Sequence, residues 1–129
     1  MMRSSLLATF FLVACGGGGD GGGGVDGGAD APAATTVMVV DPCPATPDAT
    51  VITEDSSFAY MPAATTITQG QVVKFVTSSS HDVKPSGSKP SDPGLVVGFN
   101  KTACLRFTQT GTFNFVCSIH GFAGTIQVN

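Results

Sequence analysis

The sequence predicts an all-β sandwich of roughly six to eight short strands. Three observations carry that prediction. Short runs rich in Val, Ile, Thr and Phe recur between Gly, Pro and Ser turn signals. No stretch repeats its apolar residues at a helical period. Where apolar residues do repeat they alternate, as in Val73 and Phe75 or Phe113, Phe115 and Cys117, so each set lines one face of a pleated strand.

The chain has 129 residues, enough for one domain. It is 12% charged with a net charge of −3, which argues against a nucleic-acid partner, since that would need a basic face. Many of the 17 Gly fall between Gly16 and Gly28, outside the strand-forming part.

Taken in order, the chain opens on a targeting segment. Arg3 supplies a positive start, and an apolar run over 6–14 follows. That run is too short to cross a bilayer, which takes about 20 residues. It ends in Leu12-Val13-Ala14-Cys15-Gly16, which resembles the lipobox of bacterial lipoproteins. The resemblance implies a signal peptide over 1–15, acylation of Cys15, and a membrane contact made through that lipid alone. Gly rather than Asp at position 16 implies sorting to the outer membrane, so the expected location is the cell envelope. Residues 16–35 are Gly-rich and lack side chains that could build a core. They read as a flexible tether with a reach on the order of tens of Å.

The folded domain is expected over 36–129. Runs at 36–40 and 50–53 are β-branched, and 64–68 leads into the turn Gln69-Gly70. The run 72–76 places Val73 and Phe75 inward. Pro, Ser and Gly make 85–93 a loop, and 95–97 reads as a short strand. In 102–107, Leu105 and Phe107 point inward and Cys104 points the other way. Thr110-Gly111 turns the chain into the aromatic strand ending at Cys117. After a loop of small residues, Ile126 and Val128 resume the alternation.

Cys117 and His120 lie three positions apart at the end of that strand, close enough to face one metal ion. Of the other cysteines, Cys43 sits in the rigid arm Asp41-Pro42-Cys43-Pro44, and Cys104 faces away from the core, so the two are expected to form a bridge. That leaves Cys117 as the unpaired thiol. The only other His is His81, just past the 72–76 strand and placed to reach the same end of a sandwich. His81, Cys117 and His120 form a His₂Cys set, the signature of blue-copper electron-transfer sites. A structural zinc site wants four protein ligands, and no fourth is evident.

The segment Gly111-Thr112-Phe113-Asn114-Phe115-Val116-Cys117-Ser118-Ile119-His120 is similar to the Gly-Thr-Tyr-x-Tyr-x-Cys-x-x-His segment of the cupredoxins. His81-Asp82-Val83 resembles their upstream His-Asn-Val, and Gly124-Thr125-Ile126-Gln127-Val128 their last strand. The resemblance covers residues 60–129. It implies a Greek-key β-sandwich with one type 1 copper ion at one end, held by His81, Cys117 and His120. One feature departs from the pattern. Cupredoxins carry a weakly bound axial Met soon after the second His, and no Met follows His120 here. The axial position then falls to the Thr125 hydroxyl, the Ser80 carbonyl or nothing. Asp82 is placed to accept a hydrogen bond from Ser118 and so tie the two ligand loops together.

The function this implies is one-electron transfer without a small-molecule substrate. A redox partner is expected to dock weakly and transiently near His120, on an apolar patch of Gly121, Phe122, Ala123 and Pro85. The rival readings are copper delivery without electron transfer, and a metal-free structural module. An enzyme is not expected, because two His cannot build the additional sites that copper oxidases and nitrite reductases need.

Overall fold

The computed structural model describes residues 34–129. The expected signal peptide, Cys15 and nearly all of the expected tether lie outside the described residues. Among those described, nine strands form two mixed sheets. They are β1 Val37–Val40, β2 Ala49–Glu54, β3 Ala59–Met61, β4 Ala64–Ile67, β5 Val72–Val76, β6 Lys84–Pro85, β7 Thr102–Phe107, β8 Gly111–Val116 and β9 Ala123–Val128. One sheet has the order β1-β7-β5-β2-β3 and the other β4-β9-β8-β6. From β3 to β8 each successive strand lies in the opposite sheet.

Alternation along the strands decides which side chains meet between the sheets. Val73 and Phe75 on β5, Leu105 and Phe107 on β7, Phe113 and Phe115 on β8, and Ile126 and Val128 on β9 are all buried in one core cluster that also includes Cys117. Aromatic edge contacts join the two sheets. Phe115 meets Tyr60 at 4.6 Å and Phe75 at 5.5 Å between ring centres, and Phe107 meets Phe113 at 5.2 Å. Burying each such ring contributes about 1.5–3 kcal/mol.

The structure has more strands than the sequence predicts, because β3 and β6 are only three and two residues long. Pro85 ends β6 at the edge of its sheet, where the missing N–H costs no ladder bond. The short strand predicted at 95–97 does not form. The Leu95 and Val96 amides donate back to Asp92 and Gly94 in turns, and only Val97 makes a bridge, to Val83. Leu95 and Val97 are apolar because they enter the core, not because they lie in a sheet.

Cys43 is bonded to Cys104, with Cα atoms 5.3 Å apart. Cys104 is buried but lies outside the core cluster, on the face of β7 opposite Leu105 and Phe107.

Asp92 fastens β1 to the domain. Its Oδ2 accepts the Thr36 amide and hydroxyl, both at 2.7 Å, and its Oδ1 accepts the Gly94 amide at 2.7 Å. Burial alone would raise its pKa, but these bonds to Thr36 and Gly94, with a further one from Val37, hold it below the ordinary value. A depressed carboxylate stabilises the fold above its unfolded pKa of about 4, and the contribution disappears as pH falls through the folded value. Asp92→Asn should therefore cost about 1–3 kcal/mol at pH 7, with the gap from wild type closing below about pH 4. Urea melts at pH 7 and pH 3 check this.

Candidate metal centre

Three connections meet at one end of the sandwich. Strands β2 and β5 run parallel, so the turn after β2 and the loop after β5 emerge on the same side. The β5–β6 loop carries His81 and Asp82, and the β8–β9 hairpin carries Cys117, Ser118 and His120. Cys117 follows the last residue of β8 and keeps the inward direction of Phe113 and Phe115, so the residue is 1% exposed. The hairpin then turns tightly. The Gly121 amide donates to the Cys117 carbonyl at 2.9 Å, and the Cys117 amide donates to the Phe122 carbonyl at 3.0 Å. Gly121 has φ +71°, a conformation that favours glycine and that brings His120 back over Cys117.

The resulting donor triangle is small. Cys117 Sγ lies 3.7 Å from His81 Nδ1 and 3.9 Å from His120 Nδ1, and the two nitrogens are 3.1 Å apart. The circle through these atoms has a radius of about 2.1 Å, matching metal–imidazole bonds of ~2.0–2.1 Å. Among the described residues no fourth His, Cys, Asp or Glu joins the group. One soft sulfur and two imidazoles in a trigonal array fit copper in a type 1 site better than structural zinc, which closes with four protein ligands.

Surrounding groups hold the donors. His81 is fully buried and His120 is exposed. With Nδ1 facing the triangle, the His81 Nε2 is turned toward the β2–β3 turn. Among the described residues it has no aligned hydrogen-bond acceptor. The Asp55 Oδ1 sits 3.1 Å away, within ion-pair distance but off the N–H direction. The predicted link between Asp82 and Ser118 is present twice over: the Ser118 amide donates to Oδ1 and its hydroxyl to Oδ2, both at 2.7 Å. The Asp82 carbonyl in turn accepts the Tyr60 hydroxyl at 2.6 Å. Burial, followed by the nearby Cys117 and Asp82 charges, holds the Tyr60 phenol well above its ordinary pKa, so it stays a donor.

Asp82→Ala would strand the Ser118 amide and release one ligand loop from the other. It should cost about 1–3 kcal/mol of stability and lower copper affinity by about 10–100-fold. Asp82→Asn keeps one acceptor oxygen and should fall between alanine and wild type. Copper titrations of both variants check this.

Thr125 does not reach the centre. It shares the outward direction of β9 with Gln127, and its hydroxyl donates to Asn114 Oδ1 at 2.9 Å. Gly124 takes the inward position, where an added Cβ would strike the rings of Phe115 and Tyr60. Of the apolar patch predicted around His120, Gly121 and Ala123 are exposed, whereas Phe122 is half-buried, with its ring against Tyr60 and His81. Pro85 is half-buried opposite Phe115 in the sheet. Sequence reasoning missed Phe58 and Asp55. Both sit in the turn after β2, and no local pattern announces that this turn reaches the two His.

Solved structures with this architecture include amicyanin from Paracoccus versutus. It is 17% identical, with a TM-score of 0.57 over 74% of this chain and 100% of that one. Pseudoazurin from Methylobacterium extorquens is 22% identical, with a TM-score of 0.55 over 64% of this chain and 76% of that one. The chain has the cupredoxin fold. Pseudoazurin from Hyphomicrobium denitrificans shares this cupredoxin architecture at 24% identity, with a TM-score of 0.51 over 62% of this chain and 73% of that one. No protein-family model and no curated protein sequence matches the chain.

Proposed function

We propose that this protein is a one-electron carrier whose type 1 copper ion is held by His81, Cys117 and His120. The observation that carries the reading is the donor triangle, one thiolate sulfur and two imidazole nitrogens with a radius of about 2.1 Å. The amicyanin structures of the same fold include Cu(I) forms. Copper held by these residues would supply a Cu(II)/Cu(I) couple able to exchange one electron with partner proteins.

The chain's own residues keep the cost of that cycle low. Cys117 is fixed by burial and by the hairpin bonds on either side of it. His81 is packed on all sides, and Asp82 ties its loop to Ser118. Donors held this way do not need to move when the charge changes. With no Met after His120 to supply a thioether, copper held by these three residues would favour the Cu(I) state. His120 is the exposed donor, so it is the natural point of electron exchange. Ile119 beside it is 65% exposed and adds apolar surface for a weak, transient partner.

The proposal includes export and anchoring at the cell envelope through a lipid on Cys15, supported by the sequence around that residue. Radiolabelled palmitate should enter the wild-type protein in a bacterial host and not Cys15→Ala. Voltammetry of the copper-loaded protein tests electron transfer. A single reversible one-electron couple is expected. Loss of copper on reduction would favour delivery over electron transfer.

A further inference from the structure

We propose that Phe58 is a positioning residue for this centre, with its ring packed against the exposed His120 imidazole and holding it over the donor triangle. The inference rests on the copper reading. It starts from the backbone. Residues 55–58 form the four-residue turn joining the paired ends Glu54 and Ala59 of β2 and β3. Phe58 closes that turn at φ 49°, in the left-handed region. A bulky residue there costs roughly 1–2 kcal/mol, and Gly or Asn is the usual occupant. A strained residue persists only where its surroundings over-determine it.

Here those surroundings are the two histidines. The Phe58 ring centre lies 4.9 Å from that of His120, tilted by 52°, and 5.7 Å from that of His81, edge-on at 80°. Phe58 remains 52% exposed, so it is not held there as core packing. The turn is also fixed from below. The Ser78 hydroxyl donates to Asp55 Oδ1 at 2.6 Å, and the Ser78 amide donates to the Thr53 hydroxyl at 2.9 Å. One short turn thus places a carboxylate beside His81 and an aromatic ring against both imidazoles.

The consequence is redox tuning. An apolar ring over the solvent-facing donor disfavours the more highly charged oxidised state, so removing it should stabilise Cu(II). The effect should be about tenfold in the Cu(II)/Cu(I) preference, a fall of about 59 mV for one electron.

The test compares Phe58→Gly, Phe58→Leu and Phe58→Tyr. Glycine relieves the left-handed backbone, so Phe58→Gly should melt no lower than wild type while its potential falls. Phe58→Leu should lower the potential too, and Phe58→Tyr should hold it near wild type. In the metal-free protein, the His120 ring resonances should shift in Phe58→Gly and Phe58→Leu and stay in place in Val39→Ala, an exposed position on β1. Unchanged potentials, or a lower melting temperature in Phe58→Gly with the potential intact, would overturn the proposal. If wild type takes up no copper, the copper reading fails by itself, and unmoved His120 resonances in the metal-free variants would still overturn the positioning role.

Discussion

Phe115→Ala is expected to lose about 3–5 kcal/mol of folding stability, the usual range for emptying a fully buried aromatic site. Phe115 is 0% exposed and links the sheets, with its edge contacts reaching Tyr60 and Phe75. Its cross-strand partner is Gly124, whose missing side chain makes room for the ring. Surrounding aromatics are therefore shaped to this one side chain and cannot collapse cheaply into the space. A domain of this size has a total stability of about 5–15 kcal/mol, so the variant should be partly unfolded in mild denaturant. Urea unfolding of both proteins measures the difference. A loss below 1 kcal/mol would mean that the two sheets do not meet on this ring.

The second large effect concerns the bridge. Cys43 and Cys104 are 61 residues apart in sequence. Closing a loop of that length removes enough unfolded-state freedom to be worth about 4 kcal/mol. The double variant Cys43→Ala, Cys104→Ala should lose roughly that much. Because the bridge lies outside the core cluster containing Cys117, the folded variant should still bind copper with the wild-type spectrum. Denaturation curves with matched optical spectra separate the two quantities. A changed spectrum at full folding would show that the bridge also shapes the site.

Much of this architecture is legible in the sequence, for a definite reason. A period of two is local information, and it marks the inward sets of β5, β7, β8 and β9 without reference to the rest of the chain. The candidate ligands are legible by scarcity: two His, and Cys117 as the one free Cys among the described residues, leave little choice once they reach the same end of a sandwich. Period two also places Thr125 outward beside Gln127, so its removal from the axial candidates was readable from Ile126 and Val128. Other features have no local signal. β3 and β6 are too short to show alternation, and the apolar run at 95–97 looks the same whether it pairs in a sheet or plugs the core. Phe58 is an aromatic in a Ser-rich turn, and only the tertiary fold brings its ring to His81 and His120.

The most direct measurement is a Cu(II) titration of the purified protein followed by visible absorption, with Cys117→Ser alongside. The donor triangle predicts uptake of one equivalent with an intense thiolate-to-copper band, and no such band in the variant. A protein that stays colourless at saturating Cu(II), or binds no stoichiometric copper, would contradict the assignment of His81, Cys117 and His120 as a type 1 centre.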